Sequence, residues 1–221
     1  MRMSTPRWVP GFALAAGICA LLACEDTVDP CNDCPPPPPS FQDLTEPSDV
    51  LNNLELAYNK RMINRYDELL DVNFTFFLTP GDVGGGLPEN WGRADELQYN
   101  SFLFDATPPA PFPRCKSVQV DIQWEDNLQW VEIPSPGPPI EKWYMTTVFY
   151  DFKFEMEPDN TYLNSPGSKA QFTVRNAAPT DSPQHWQLVE MRDLGASSVQ
   201  ALRAIAGTQR TTWGRVKALY R

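Results

Sequence analysis

The side chains that could do acid-base or metal chemistry are few and far apart in the sequence. His185 is the only histidine, which excludes a site with several histidine ligands and leaves one candidate for histidine general-base chemistry. Cys31 and Cys34 form a C-x-x-C pair directly before five consecutive prolines. A zinc site at this pair would require two further ligands, and beyond the N-terminal region only Cys115 and His185 remain. The sequence therefore predicts no bound metal and no cofactor.

The cysteines have structural rather than redox interpretations. A thioredoxin-type C-x-x-C opens a helix after a strand, whereas this pair runs into polyproline. In an oxidising compartment Cys31 and Cys34 are candidates for a local disulfide or for an intermolecular pair. Cys115 follows Arg114 at the predicted entrance of a strand, and we expect a half-buried, inert thiol there.

Motifs for nucleophilic or phosphate chemistry are absent from the sequence. There is no G-x-S-x-G, no H-E-x-x-H and no nucleotide-binding fingerprint. No Gly-Lys-Ser/Thr follows the glycine-rich stretch 81–90, so we interpret this stretch as a loop. Asp151 has two open interpretations. It shares a strand face with Trp143 and Phe149 and would then point inward, or the strand has already left the core at this position.

Charge and length exclude two further classes of function. The chain has 221 residues with 28 acids and 18 bases, a net charge of −10, and its bases are not clustered in the way that phosphate backbones require. We therefore expect no nucleic-acid binding. The 23 prolines against 12 glycines argue against long helices throughout and mark the boundaries between segments.

Residues 1–23 are predicted to be a signal peptide. Arg2 and Arg7 precede the apolar stretch 9–23, which contains no acid and is short for a membrane span. The end of this stretch, Leu21-Leu22-Ala23-Cys24, resembles the lipobox of bacterial lipoproteins, which implies an acylated Cys24 as the mature N-terminus. The alternative is an ordinary secretory signal with an incidental cysteine. The lipoprotein interpretation places the protein in the bacterial cell envelope, anchored to membrane lipid at the outer membrane or the periplasmic face.

Residues 24–47 are predicted to be a disordered tether behind that anchor. They contain acids and the proline run 35–39, and a proline run adopts an extended form of about 3.1 Å per residue. The tether would hold the folded part of the chain away from the lipid surface.

The remaining segments predict an α+β domain over residues 48–194. Ser48 begins a helical pattern in which Val50, Leu51, Leu54 and Tyr58 recur at steps of three and four. A second short helix, a strand near 73–78 and a third helix near 91–104 follow. Period-two alternation then predicts antiparallel strands, namely 117–125, 142–157, 170–174 and 186–191. Helices followed by a strand meander are typical of the α+β class.

This order of elements resembles the nuclear transport factor 2-like cone, which is cystatin-like in fold and is shared with ketosteroid isomerases and polyketide cyclases. The resemblance implies N-terminal helices packed on a curved antiparallel sheet. The tail 211–220 is also similar to that of bacterial lipoproteins of this type. The stretches that carry the cone resemblance are Ala57-Tyr58-Asn59, Tyr66-Asp67-Glu68-Leu69-Leu70-Asp71, Phe74-Thr75-Phe76, Trp91-Gly92-Arg93, Glu96-Leu97 and 186–193.

The resemblance also implies where catalytic groups would lie. In the isomerase branch a carboxylate just after the first strand removes a proton, and a helix tyrosine helps to stabilise the oxyanion. Here residues 76–80 contain no carboxylate, and the first acid is Asp82 in the glycine-rich loop. Tyr58 matches the helix tyrosine, or it is a core residue. We therefore expect no catalytic residues, with Asp151 and Tyr58 as the weak alternative.

A cone with an open mouth would offer an apolar pocket. The candidate pocket residues are Tyr58, Phe76, Trp91, Trp124, Tyr144, Phe149 and Trp186. Residues 195–221 form a C-terminal extension with a basic helix, whose cations are Arg203, Arg210, Arg215, Lys217 and Arg221. These cations would dock on anionic lipid or on an acidic partner. Alternatively, the helix packs on the domain through Trp213, Val216, Leu219 and Tyr220.

The sequence thus predicts a membrane-anchored, non-catalytic binding or assembly module for an apolar small molecule or a partner protein of the envelope. The alternative is an enzyme of the isomerase or cyclase class that uses Asp151 and Tyr58. A homodimer formed by pairing of the open sheets is compatible with the first interpretation.

Overall fold

The computed structural model describes residues 39–83, 87–123, 128–138, 140–176, 185–196 and 208–221. Several predictions concern residues outside these ranges. They are the signal peptide, the lipidation site Cys24, the Cys31 and Cys34 pair, Trp124 and Arg203. The side chains of residues 196 and 208–210 also lie outside the description.

Three helices precede or interrupt the first strands. α1 spans Pro47–Asn59, α2 spans Ile63–Leu69 and α3 spans Arg93–Phe104. α1 begins one residue before the predicted Ser48, because Pro47 suits the first helical position and the Asp49 carboxylate accepts the Glu46 N–H at 2.8 Å. α1 and α2 are separated by a bend in which Arg61 adopts a φ of 52°. The α1 face at Val50, Leu51, Leu54, Ala57 and Tyr58 is buried, as its spacing predicts.

Within the described residues, nine strands form one curled sheet. Their bounds are β1 Leu70–Phe77, β2 Asn90–Gly92, β3 Cys115–Gln123, β4 Val131–Ile133, β5 Trp143–Met156, β6 Thr161–Asn164, β7 Ser168–Asn176, β8 Trp186–Ala196 and β9 Thr208–Arg210. The strand order is β2-β1-β8-β7-β5-β6-β9, and β3 and β4 both pair with the other edge of β5. The pairings β1–β8 and β6–β9 are parallel, and the others are antiparallel. The predicted α+β class, with helices packed on a curved sheet, is confirmed.

β5 determines which side chains face the interior. Its even positions from Thr146 to Met156 are buried, whereas its odd positions are partly or fully exposed. The alternation follows from the period of two along a strand. The interior therefore receives Tyr150, Phe152 and Phe154 from β5, and Asp151 lies on the opposite, outer face.

The chain returns to the sheet after β8. β8 continues to Ala196, two residues beyond the predicted end of the domain, and β9 pairs with β6. α4 then spans Trp213–Ala218 and begins at the N-cap Thr212, whose hydroxyl accepts the Arg215 N–H at 3.2 Å. Trp213 and Val216 of α4 belong to the same hydrophobic core as α1, α3 and the inner face of β5.

Candidate functional site

The interior of the sheet is occupied by α4 and the turn that follows it. Helical spacing places Trp213, Val216, Lys217 and Tyr220 on one face, and all four side chains are 0% exposed. Leu219 points away from this face and is 45% exposed. The C-terminal segment thus inserts a tryptophan and a lysine into the interior of the curled sheet.

Trp213 packs among aromatic rings of α1 and β5. Its ring centroid lies 5.1 Å from that of Tyr58 and 5.0 Å from that of Tyr150. Its Nε1 donates a hydrogen bond to the Tyr58 hydroxyl at 3.1 Å, and that hydroxyl donates to Asn100 Oδ1 at 2.7 Å. The buried indole and phenol therefore both have polar partners, as buried Trp and Tyr require.

Lys217 forms a fully buried ion pair with Glu96 of α3. Its Nζ lies 2.5 Å from Glu96 Oε1, and both side chains are 0% exposed. The Glu96 carboxylate also accepts from Asn100 Nδ2 at 2.9 Å, from Trp91 Nε1 at 2.7 Å and from the Tyr66 hydroxyl. Four donors thus converge on one carboxylate in the interior.

The lysine also lies against aromatic rings. Its Nζ is 3.9 Å from the centroid of Phe76, which stacks on Trp91 with centroids 4.8 Å apart. A cation over an aromatic face gains electrostatic attraction, more so when it is desolvated. Burial lowers the pKa of Lys217 below its ordinary value, while Glu96 acts to raise it. Burial and the Glu96 charge raise the pKa values of Tyr58 and Tyr66.

A second buried carboxylate, Asp193 of β8, meets the beginning of α4. Asp193 Oδ2 accepts the Gly214 N–H at 3.1 Å, and Oδ1 accepts the Gly195 N–H and the Tyr150 hydroxyl, both at 2.9 Å. Burial raises the pKa of Asp193 and, together with the Asp193 charge, that of Tyr150. Position 214 is tightly packed, since a β-carbon there would lie 3.1 Å from Leu78 Cγ, and Leu78 would have to shift slightly to accept it.

A third carboxylate, Asp82, binds the beginning of the same segment. Its Oδ1 accepts from Arg215 Nε at 2.6 Å, and its Oδ2 accepts from the Thr212 hydroxyl. Asp82 is buried, whereas the Arg215 side chain is 59% exposed. Carboxylates from a helix, a strand and a loop are therefore all bound to donors of residues 212–217. This arrangement is chemically complementary to a cationic, aromatic segment of chain.

The structure brings some of the predicted pocket residues together and separates others. Tyr58, Phe76 and Trp91 lie in the interior around Lys217 and Trp213. The predicted pocket space around them is thus filled by the chain itself.

Three other predicted pocket residues lie away from that centre or on the outside. Tyr144 contacts Trp186 with ring centroids 5.4 Å apart, and the Trp186 Nε1 donates to the Thr45 carbonyl at 3.1 Å. Phe149 lies on the outer face of β5 beneath Lys169 Nζ, which is 4.4 Å from its centroid. It lines an external groove of about 440 Å³.

The structure does not bring Asp151 and Tyr58 together. Asp151 lies on the outer face of β5, where its carboxylate accepts from Gln123 Nε2 at 2.9 Å and from the Gly167 N–H. Tyr58 lies in the interior with its hydroxyl bound to Asn100 and Trp213. The inward-facing interpretation of Asp151 is wrong, because the alternation of β5 directs Tyr150 inward instead.

The basic tail is likewise not a free cationic patch in its described part. Lys217 is fully buried against Glu96, and Arg215 is bound to Asp82. The packing interpretation of the helix holds for Trp213, Val216 and Tyr220, whereas Leu219 is replaced on the buried face by Lys217. The helical spacing of α4 places position 217 on the buried face, although its side chain is charged.

His185 and Cys115 have no described role in the interior site. His185 is exposed and lines an external groove of about 660 Å³ together with Phe41, Arg65 and Glu68. Cys115 is buried, and its thiol donates to the Ser117 carbonyl at 3.2 Å. Burial raises the pKa of this thiol to about 11.

Metal-binding clusters and membrane-spanning helices are both absent from the described residues. No group of three or more histidine, cysteine, aspartate or glutamate side chains within the described ranges has the arrangement of a metal site. In that same part of the chain, no helix has the length and apolar character needed to cross a bilayer.

Glu96, Asn100 and Asp193 were not predicted from the sequence as site residues, and Lys217 was predicted only as one of the basic residues of the tail. The sequence pattern that could have identified the residues of α3 is their helical spacing. In α3 the buried positions are Glu96, Tyr99, Asn100, Leu103 and Phe104, which recur at steps of three and four, so two polar side chains belong to the apolar stripe. A polar residue at a stripe position predicts a buried partner of complementary chemistry.

Comparisons with known proteins concern the fold. No family model matches the sequence, and no curated protein matches it. A conserved protein from Planctomyces limnophilus is 14% identical over 65% of this chain and 88% of its own, with a TM-score of 0.45. A nuclear transport factor 2-like superfamily protein from Salmonella enterica is 9% identical over 71% and 92%, with a TM-score of 0.43. A protein with a cystatin-like fold from Caulobacter vibrioides is 12% identical over 70% and 89%, with a TM-score of 0.39. At these identities the similarity concerns the fold alone, and two of these three solved structures are described as nuclear transport factor 2-like and cystatin-like.

Proposed function

We propose that the protein is a lipid-anchored, non-catalytic binding or assembly module of the bacterial cell envelope, whose curled sheet holds a segment of protein chain. The observation that carries this proposal is the insertion of Trp213 and Lys217 into the interior, where both side chains are fully buried and both find polar partners.

The same observation favours a protein segment over an apolar small molecule as the bound partner. The interior presents the carboxylates of Glu96 and Asp193 beside its aromatic rings. An apolar molecule would have to displace α4 and would leave these carboxylates without their present donors, which is unfavourable in a buried site. A peptide segment supplies both N–H donors and a cation.

The non-catalytic part of the proposal is supported by how the interior carboxylates are used. Glu96 and Asp193 each accept hydrogen bonds on both oxygens. A general base needs a free oxygen within hydrogen-bond reach of a substrate proton. Neither carboxylate offers one while α4 is in place.

A turnover screen tests the proposal directly. The mature protein is incubated with substrates of isomerases and hydrolases, and we expect no turnover above background. Any turnover found is measured again in Glu96→Gln, Asp193→Asn and His185→Ala, with Asp95→Asn as the control because Asp95 is the exposed neighbour of Glu96 on α3. Turnover that one of the first three substitutions abolishes, and that Asp95→Asn leaves intact, overturns the proposal.

A binding measurement tests the choice of partner. An apolar fluorescent probe, 1-anilinonaphthalene-8-sulfonate, is titrated into the folded protein and into the Tyr58→Trp variant, which enlarges an interior side chain. We expect no saturable binding that depends on position 58. Stoichiometric binding that Tyr58→Trp removes would instead support an interior site for an apolar small molecule.

A further inference from the structure

The interior of the sheet has the composition of a receptor site, and its present occupant has the composition of a ligand. The receptor side consists of three carboxylates, Glu96, Asp193 and Asp82, together with the rings of Phe76 and Tyr58. The occupant, residues 212–220, supplies at least one donor or cation to each carboxylate, with distances of 2.5 Å for Lys217 to Glu96, 3.1 Å for Gly214 to Asp193 and 2.6 Å for Arg215 to Asp82.

The contacts come from separate elements and converge on one short segment. Glu96 belongs to α3, Asp193 to β8 and Asp82 to the loop after β1. α4 itself is only six residues long, and an isolated helix of that length is not stable in water. The segment therefore holds its helical form through contacts with the receptor side, as a bound peptide does.

The fit of the occupant is not complete at its end. The Tyr220 hydroxyl is buried and has no hydrogen-bond partner among the described residues. An unpartnered buried hydroxyl opposes burial, because it gives up a hydrogen bond to water without replacing it. The buried ion pair of Lys217 and Glu96 adds specificity, while its desolvation offsets much of the attraction between the two charges. Release of the segment would restore the hydrogen bond of the Tyr220 hydroxyl to water and the hydration of the Lys217 ammonium.

We propose that the interior of the sheet is a recognition site for a cationic, tryptophan-bearing peptide segment, and that residues 212–220 occupy it as an internal ligand which the same segment of a second copy of this chain can replace. This inference rests on the proposed function and names its partner. Exchange of the segment between two copies would join them without a new interface.

The internal segment competes strongly because it is tethered to its site. A tether converts binding into an intramolecular event with a high effective concentration. A free peptide therefore binds weakly to the wild-type chain and more tightly to a chain whose own segment fits less well. Gly214→Val is such a change, because even a β-carbon at this position would lie 3.1 Å from Leu78 Cγ, and the substitution leaves all three receptor carboxylates unchanged.

The experiment measures fluorescence anisotropy of a labelled synthetic peptide of residues 211–221 with the full mature chain. We expect the peptide to bind the Gly214→Val protein at least about tenfold more tightly than wild type. Arg215→Gln provides a second weakened chain, since Arg215 is largely exposed and its loss removes the cation that binds Asp82. Lys169→Met is the matched control, a lysine over an aromatic ring on the outer face, and it should bind the peptide like wild type.

Two variant peptides separate recognition from nonspecific adhesion. The Lys217→Met peptide should lose at least about tenfold in affinity for the weakened chains, because it has no cation for Glu96. The Leu219→Ala peptide should bind like the parent peptide, since Leu219 points away from the buried face.

The proposal is overturned if Gly214→Val and Arg215→Gln, folded by circular dichroism, bind the peptide no better than wild type. It is also overturned if the Lys217→Met peptide binds as well as the parent. If Gly214→Val does not fold, Arg215→Gln decides the outcome alone. A negative result with no enzymatic turnover leaves the proposed non-catalytic function standing and removes only the exchangeable internal ligand.

Discussion

Glu96 and Lys217 form a fully buried ion pair in the interior of the protein. A buried ion pair contributes little net stability, but loss of one partner leaves an uncompensated charge in the core. We expect Glu96→Gln to lower the free energy of unfolding by about 3–5 kcal/mol, because the Lys217 ammonium would keep only neutral partners. Urea denaturation followed by circular dichroism measures this change.

A double-mutant cycle provides the control for that prediction. Glu96→Gln combined with Lys217→Met removes both charges. The double variant should therefore lose clearly less free energy of unfolding than the sum of the losses in the two single variants. Lys116→Met, which breaks the surface pair with Glu155 at 2.6 Å, should have a much smaller effect because that pair is exposed. Additive effects at Glu96 and Lys217 would contradict the coupling that the structure implies.

The buried tyrosines predict loss of stability in alkali. Burial raises the pKa values of Tyr58, Tyr66 and Tyr150 well above 10.0. As the pH rises above 10, the unfolded chain loses these protons while the folded chain keeps them, so the free energy of unfolding falls. Each tyrosine contributes up to about 1.4 kcal/mol per pH unit. Lys217 acts in the opposite direction, because its folded pKa is lowered, but it is one group against three.

The slope of stability against pH between 9 and 11 tests this expectation, with urea denaturation in the presence of a thiol reductant as the measurement. Tyr150→Phe should make the slope shallower by up to about 1.4 kcal/mol per pH unit, because it removes one titrating group. A slope that is flat in wild type, or unchanged in Tyr150→Phe, would mean that these hydroxyls are not protected from ionisation in the folded state.

Among the secondary-structure elements, β5 and α4 show what sequence patterns can and cannot predict. β5 shows the predicted period of two, with its even positions from Thr146 to Met156 buried. In α4 the interpretation followed polarity and chose Leu219, whereas helical spacing places Lys217 beside Trp213 and Val216. The lysine is accepted because Glu96 faces it across the interior, and that contact joins positions 121 residues apart. Local patterns identify the face of an element but not the partner it meets.

The N-terminal segment 39–46 is held to α1 by one buried side chain. Asn53 Oδ1 accepts the Gln42 N–H at 2.9 Å, and Asn53 Nδ2 donates to the Gln42 carbonyl at 2.7 Å. This amide pairs with the backbone as a neighbouring strand would. Leu44 continues the attachment, because its carbonyl accepts the Trp186 N–H at 2.9 Å. Residues 39–46, which were predicted to belong to the tether, are therefore bound to the folded domain through Gln42 and Leu44.

Asn53→Ala should release this segment while leaving the domain folded. The Gln42 N–H and carbonyl each lose a part-buried hydrogen bond, at a cost of about 0.5–1.5 kcal/mol per bond, so the Gln42 and Trp186 amides should exchange hydrogen faster. Asn52→Ala is the matched control, because Asn52 bonds to the exposed side chain of the same Gln42 at 3.1 Å and should leave both amides protected. Equal exchange rates in the two variants would show that Asn53 does not hold the segment.

For the molecule as a whole, acidic and basic groups are arranged so that the interior satisfies its own charges. The net charge of the chain is −10, yet the carboxylates of Glu96 and Asp82 face cations of α4. A net negative charge suits a protein that stands near a membrane surface rather than on it, because anionic lipid repels it. The proposed lipid on Cys24 would supply the separate attachment that such a protein needs.

The attachment can be tested by substitution of the two cysteines at the end of the predicted signal. In the intact chain expressed in a bacterial host, Cys24→Ala should abolish incorporation of labelled palmitate and move the protein from the membrane fraction to the soluble fraction. Cys19→Ala is the matched control and should keep both label and membrane association, because the bulky Ile18 precedes Cys19 whereas the small Ala23 precedes Cys24. More than one acyl chain is needed for stable anchoring, so the loss should be nearly complete rather than partial. Membrane association that survives Cys24→Ala would require an attachment other than acylation at this residue, and loss of label in Cys19→Ala would move the modified cysteine to position 19.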